Sequence, residues 1–564
     1  MTRKWTLMVY LAGDNNLSEE CIFALNDMKK IGSTEDVTVI VELDTPVHEN
    51  TRLKIEKGDS PGELVRELNQ SRLDRAKDIT KRINRMSSSK SDAAAGEKLE
   101  PTLERVDLSY SDRIFAFVAD CVDKYPAEHY MLVLNGHGSG VYGGLLFKED
   151  GEDIESLTAI NLGQLIERIN AAVLGNSRID ILGIDTCVMA MSEVSYAVHN
   201  HVKVMIGAEG FEPLAGWPYK MVLKALNDNR INDDLKKLST RIVQDYTTYY
   251  TDYQAAGVSV DQAACDLSES KNLMKAVASF SRTLREQLKS DEATVAEIRN
   301  ALVLAHWEAQ PYLGQKYVDL YDFCSLLKEL CVRPDREADC WKQIRTVCQN
   351  VMNTIRGPQN EEHPEDADIR FDHGNGARVV NFQTDPKGFI WKSCYSGPIV
   401  QYSYGVAIYF PWSEENAKLD EYGEIRFVND SEWIEFLLEY LRVTKRKPRP
   451  GPVAIQNQAD KVFSLAFKQL EQANSKSSTA NKSSTANKSS TANKSSTANK
   501  SSTANKSSTA NKSSTANKNL DNLAGSMRNP PTDFNSCIDW KDPFGPIAVM
   551  DSSNAVQPIR STRR

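Results

Sequence analysis

Two apolar runs in the sequence end on residues able to do covalent chemistry. His129-Tyr130-Met131-Leu132-Val133-Leu134 leads into Asn135-Gly136-His137-Gly138, and Ile179-Asp180-Ile181-Leu182-Gly183-Ile184 leads into Asp185-Thr186-Cys187. The glycines flanking His137 leave its imidazole accessible and let backbone amides come close to a ligand. Cys187 falls where a strand passes into a helix predicted over Met189–His199, and the positive end of a helix dipole favours a thiolate there. A thiol and an imidazole at one sheet edge form the minimal nucleophile and base. Singly, each has a plainer reading, the cysteine as a small buried residue and the histidine as the end of a turn. Their joint placement at strand ends favours the chemical reading. Asp185 lies two positions before Cys187, so on an extended strand end it projects to the same side. Its plain reading is an N-cap for the following helix.

The elements that must position these groups are legible as alternating apolar runs and amphipathic segments. Strands are predicted at Leu7–Leu11, Val37–Leu43, Tyr130–Leu134, Ile179–Ile184 and Val202–Gly207, with helices at Glu19–Ile31, Ser111–Lys124, Leu162–Val173 and Met189–His199. Such alternation specifies an α/β fold, a layered sandwich with a mostly parallel central sheet flanked by helices. Its chemistry sits at the carboxyl ends of the strands. Residues 1–225 form this core, with a charged, Ser-rich surface insertion at about 66–108. Residues 226–443 are mostly helical, with further strands at Ala256–Val260 and Val406–Phe410 and a helix at Ser431–Leu441. The basic, proline-rich stretch from Thr444 ends the folded part, and a helix follows within 444–474. Ser477–Lys518 is seven copies of Ser-Ser-Thr-Ala-Asn-Lys. With only Ala to fill a core, this tract reads as disordered linker, and 519–564 as a disordered tail.

Composition narrows the function. The chain has 564 residues, 40% hydrophobic, and a net charge of −9. Eight lysines, Lys476 and the seven of the repeat tract, offset a more acidic folded part, which disfavours a nucleic-acid-binding face and suits a basic substrate. Ten cysteines without a CxxC pair argue against a zinc knuckle or a disulfide framework. No apolar run reaches the ~20 residues of a membrane span. The opening Met1–Leu11 reads as a strand and not as a signal peptide, so a cytoplasmic location is expected, with secretion by another route left open. Gly138-Ser139-Gly140-Val141-Tyr142-Gly143 fits GxGxxG, but Gly144–Asp150 does not begin a helix to cap a pyrophosphate, so a nucleotide-binding protein is the weaker alternative. Another alternative is a catalytically silent, peptidase-like scaffold.

The Gly136-His137-Gly138 and Asp185-Thr186-Cys187 pair resembles the clostripain family of cysteine peptidases, relatives of caspases, metacaspases and gingipains. Val9–Leu17 resembles the family's opening strand and turn, Tyr125–Tyr130 its approach to the histidine strand. Gly216–Tyr219, Tyr317–Phe323 and Gly405–Pro411 resemble later segments, so the likeness covers roughly residues 5–443. It implies a caspase-like fold and an endopeptidase with Cys187 as nucleophile and His137 as base, cleaving protein or peptide substrates after Arg or Lys. By the same resemblance, the backbone amides of Gly138 and Cys187 hold the oxyanion and Asp185 floors the substrate pocket. Glu209 and Glu212, in the loop after Val202–Gly207, read as solvated loop acids. Calcium enters by family resemblance alone. The acidic run Glu361–Asp372 lacks EF-hand spacing and reads as a solvated loop. Relatives mature by cutting between the histidine and cysteine strands, which makes Lys148 the candidate self-cleavage site and the repeat lysines a second target.

Overall fold

Trp5, Leu7, Val9 and Leu11 of the first strand alternate with Met8, Tyr10 and Ala12, and every one of them is buried. A strand apolar on both faces must lie inside a sheet covered on both sides. A computed structural model places it there, describing residues 2–45, 51–58, 109–147, 156–332, 336, 338–357, 388–413 and 419–445. The strands are β1 (Arg3–Ala12), β2 (Val37–Asp44), β3 (Thr51–Lys54), β4 (Ala127–Asn135), β5 (Ile179–Asp185), β6 (Val202–Gly207), β7 (Val260–Asp266) and β10 (Ile390–Ser396). They form one sheet in the order β10-β7-β6-β5-β4-β1-β2-β3. The five central strands run parallel, and β3, β7 and β10 pair antiparallel toward the edges. A second, three-stranded sheet joins β8 (Pro311–Tyr312), β9 (Tyr317–Asp319) and β11 (Ala407–Tyr409) in the order β11-β9-β8.

The two faces of the large sheet carry separate cores. Trp5, Leu7, Val9 and Leu11 pack with Leu25 of α1 (Ser18–Lys29), and with Leu223 of α5 (Tyr219–Leu226) and Tyr246 of α6 (Leu235–Thr251). Met8, Tyr10 and Ala12 face Phe117 of α2 (Tyr110–Lys124), Ile166 of α3 (Ala159–Ala172) and Val194 of α4 (Ser192–Val198). The second core continues through α7 (Ser270–Gln287), α8 (Glu292–Glu308), α9 (Leu320–Leu330), α10 (Asp339–Arg356) and α13 (Trp433–Thr444), the last preceded by short α11 (Leu419–Tyr422) and α12 (Arg426–Asp430). Each large apolar side chain so enclosed contributes roughly 1.5–3 kcal/mol. The α/β sandwich with its largely helical C-terminal region is therefore as the apolar pattern specifies. None of the described helices is long and apolar enough to cross a membrane.

Two expectations are corrected. The strand expected at Ala256–Val260 begins only at Val260, after a short turn at Gln254–Ala256. Its buried Asp261 and Gln262 hide it from an apolar count. The helix expected from Met189 begins at Ser192. The backbone before it is committed elsewhere: the Val188 amide donates to Gly210, those of Met189 and Ala190 donate to Ala208, and the Ala190 carbonyl accepts from Ala407. The insertion at 66–108, Lys148, the acidic run 361–372 and everything after residue 445 lie outside the described residues.

Candidate active site

β4 and β5 run side by side with Leu134 opposite Ile184 and Asn135 opposite Asp185, and the Gly136 amide extends the ladder by donating to the Asp185 carbonyl at 3.3 Å. Continued two residues, that register sets His137 against Cys187. The loops beyond the ladder are in contact: a Cβ added to Gly138 would sit 2.4 Å from the Cys187 carbonyl oxygen and 2.7 Å from Thr186 Oγ1. Any larger residue at 138 would force the histidine loop away from the cysteine loop. Beyond Gly138 the glycine-rich run turns back through a short 3-10 turn, and Leu145 bridges to Gly138 and Leu157. No helix starts there, so the GxGxxG match has no pyrophosphate site behind it.

His137 and Cys187 line one cavity together with Leu17, Glu20, Asn135, Asp185 and Glu212. His137 is 8% exposed and Cys187 is 3% exposed, both set into the cavity wall. His137 Nε2 lies 2.6 Å from Oδ1 of Asn16, in the turn between β1 and α1. No sequence pattern marks that asparagine, whereas its amide, and not the backbone alone, holds the ring. Cys187 Sγ accepts from the Glu212 amide at 3.3 Å and approaches the Glu212 carbonyl at 3.7 Å. Since α4 starts five residues after Cys187, its dipole does not account for the thiol's environment, and the Glu212 N–H is the donor that faces the sulfur. Val188, next in the chain, has φ 58°, a left-handed conformation that costs a β-branched residue energy and is held by its bond to Gly210.

Asp185 lies in the cavity wall and caps no helix. Its Oδ2 accepts from Asn135 Nδ2 at 2.7 Å, Tyr219 Oη at 2.7 Å and the Trp217 amide at 3.3 Å. Gly216, at φ 63°, makes the turn that delivers Trp217, and a Cβ there would stand 2.9 Å from both Asp185 oxygens. Glu212 is buried, against the expectation of a solvated loop acid, and its Oε1 accepts from Trp217 Nε1 at 3.3 Å. Burial first, and then the Asp185 charge, push the Glu212 carboxyl well above the usual range. Asp185 is also raised, by burial. Glu209 is buried too, but away from this cavity, with Oε2 accepting from the Gly405 amide at 2.6 Å. No repeat or periodicity marks either glutamate, because the loop that carries them is irregular and gains its burial only from residues distant in the chain.

No cation side chain is among the described residues lining the cavity. Among the described residues there is also no group of three or more His, Cys, Asp or Glu arranged to hold a metal ion. The calcium raised by resemblance therefore has no ligand set there.

A search of curated proteins found no match. Among solved structures, a secreted C11 cysteine protease from Bacteroides thetaiotaomicron, bound to an irreversible peptide inhibitor, is 14% identical, with 76% of this chain and 99% of that one covered and a TM-score of 0.43. An inactive zymogen C11 protease from Parabacteroides distasonis is 15% identical over 76% of this chain and 99% of that one, at a TM-score of 0.42. The model of the clostripain family matches residues 9–354, more than half of the chain. That span runs from β1 through both strand ends that deliver His137 and Cys187, and the chain accordingly belongs to the clostripain family and is a cysteine-type peptidase.

Proposed function

We propose that the protein is an endopeptidase that cleaves protein or peptide substrates after Arg or Lys, with Cys187 as nucleophile and His137 as base. The observation that carries this reading is one cavity lined by His137, Cys187, Asp185 and Glu212 together. A thiol, an imidazole and a desolvated acid pair within one cavity suit acyl transfer on a substrate with a positive side chain.

In the proposed reaction His137 takes the thiol proton and Sγ attacks the scissile carbonyl carbon. The backbone amides of Gly138 and Cys187 receive the negative charge that develops on the carbonyl oxygen. Collapse breaks the C–N bond, and the imidazolium gives its proton to the leaving amine. A water, deprotonated by His137, then attacks the thioester; the acid product leaves and the proton returns to sulfur. The long guanidinium or ammonium side chain before the cut reaches Asp185. An ionised Asp185 left without a cation in this buried position is costly, so the pocket rewards a basic side chain over an apolar one.

The amide of Glu212 that faces Sγ and the close approach of Gly138 to Cys187 support the same assignment. Lys148, outside the described residues, stays the proposed point of self-cleavage under this specificity, with the repeat lysines as a further target. The test is hydrolysis of fluorogenic peptides that differ only in the residue before the cut, by the wild-type chain and by Cys187→Ala and His137→Ala. Cleavage of Lys and Arg peptides by wild type alone is expected. Retained cleavage by a folded Cys187→Ala protein would refute the mechanism, and preference for Asp or Leu would refute the pocket. Intact mass of wild type against Cys187→Ala, after incubation with and without calcium, checks the self-cleavage.

A further inference from the structure

The turn from β1 into α1 is built to hold one side chain outward. Asn15 Oδ1 accepts from the Leu17 amide at 2.8 Å, and Asn15 Nδ2 donates to Ala12 O at 3.2 Å and to Phe147 O at 2.7 Å. Ser18 Oγ donates to Gly13 O at 2.6 Å, and the Gly13 amide donates to Asp44 O at 2.7 Å. An asparagine that hydrogen-bonds the backbone two residues on fixes a tight turn without help from a helix. The rigid product of this wiring is the position of Asn16, exposed at the cavity mouth with Oδ1 2.6 Å from His137 Nε2.

We infer that Asn16 is a positioning residue for catalysis: its amide oxygen fixes the ring orientation and tautomer of His137, a role that rests on the dyad proposed above. An amide oxygen only accepts, so Nε2 must carry the hydrogen. Nδ1 then keeps the lone pair able to take the thiol proton. When the ring becomes an imidazolium, the same oxygen faces a positively charged donor and the bond strengthens, so the contact favours the protonated ring over the neutral one. A third group that orients the base is the general arrangement of nucleophile and base pairs, and here a neutral side chain on the first loop of the fold fills the place. The titratable groups facing the same cavity are Glu20 from α1, Asp185 and Cys187 from the end of β5, and Glu212 from the loop after β6. Asn16 adds no charge to that set. Because it is exposed, water replaces part of its bond when it is removed, and the effect is moderate.

The test compares full-length wild type, Asn16→Ala, Asn16→Asp and His137→Ala on a peptide with Lys before the cut, measuring kcat, KM and the pH profile of kcat/KM. In Asn16→Ala, kcat falls roughly 10-fold, in line with the loss of one charge-assisted hydrogen bond. KM stays within about twofold, and the limb of the profile governed by the imidazole moves to lower pH. Asn16→Asp restores an acceptor with negative charge, so most of kcat returns and that limb moves to higher pH. An Asn16→Ala enzyme with unchanged kcat and unchanged profile, beside an inactive His137→Ala, overturns the inference and leaves the dyad standing. A rise in KM alone also overturns it, since that is the mark of a substrate contact. Full activity in His137→Ala would instead remove the dyad. If Asn16→Ala does not fold, an unmoved limb in Asn16→Asp overturns the inference by itself.

Discussion

Glu209 and Glu212 sit three residues apart on one loop, both buried, both with carboxyls pushed well above the usual range, yet they belong to different environments. Glu212 faces the cavity of His137 and Cys187, where the Asp185 charge adds to the effect of burial. Glu209 is turned into the protein, accepts from the Gly405 amide, and is raised first by burial and then by the Asp319 charge. Around it every acid meets backbone donors: Asp261 accepts from the amides of Glu209 and Gly210, and Asp319 from those of Asp322 and Tyr404. The interior cluster thus ties the loop to β7 and β9, while the cavity pair keeps a wall open to a ligand. Burial and a raised carboxyl do not by themselves mark a functional acid. What separates the two is position: Glu212 lines the cavity that holds His137 and Cys187, and Glu209 does not.

The comparison can be broken most forcefully at Asp185. Asp185→Asn should lower kcat/KM on Lys and Arg peptides by roughly 10³-fold, the scale of breaking a buried charge pair, while apolar peptides change little. Equal loss on all peptides would mean that Asp185 acts on the fold and not on the substrate. Glu209→Ala should instead cost about 2–3 kcal/mol of stability in urea unfolding, because it strands the buried Gly405 amide, and leave the substrate preference unaltered. A change of preference in that variant would erase the distinction between the two glutamates.

Glu212→Leu should produce a smaller change, about 10-fold in kcat/KM on basic peptides, on the scale of one hydrogen bond to a charged group. Glu212→Gln, which keeps a polar side chain of the same length, should lose less, and kinetics of both variants on Lys and Leu peptides check the order.

An effect on stability alone lies at Glu193, buried in α4 and accepting from the Tyr409 amide and Tyr422 Oη, with burial raising its carboxyl from 4.5 to about 7. A raised folded-state value favours the native state at low pH and removes that advantage as pH climbs. Its share of stability is therefore complete below about 4.5 and lost by about 7. One such group gives a slope of at most about 1.4 kcal/mol per pH unit. Glu193→Gln should lack the slope, as thermal unfolding at pH 5, 6 and 7 would reveal.

The sequence by itself determined the parallel sheet and the two strand ends. Residues apolar on both faces of β1, β2 and β5 have no stable place except between two layers, and Gly138 lets the loop after β4 close on the Cys187 loop while His137 itself is buried. His137, Cys187 and Asp185 were legible for that reason, since all lie on or just past regular strands whose register carries them to one edge. The start of α4 was not, because the amides of Val188, Met189 and Ala190 are spent on the loop after β6 and the Ala190 carbonyl on β11. Asn16 and Glu212 stand on irregular loops with no periodicity to mark them. Their meaning comes from neighbours 121 residues away in the one case and 25 in the other. Burial and the direction of a hydrogen bond belong to groups brought together only when the chain has folded, so tertiary structure alone decided which acid faces the cavity and which side chain holds the imidazole.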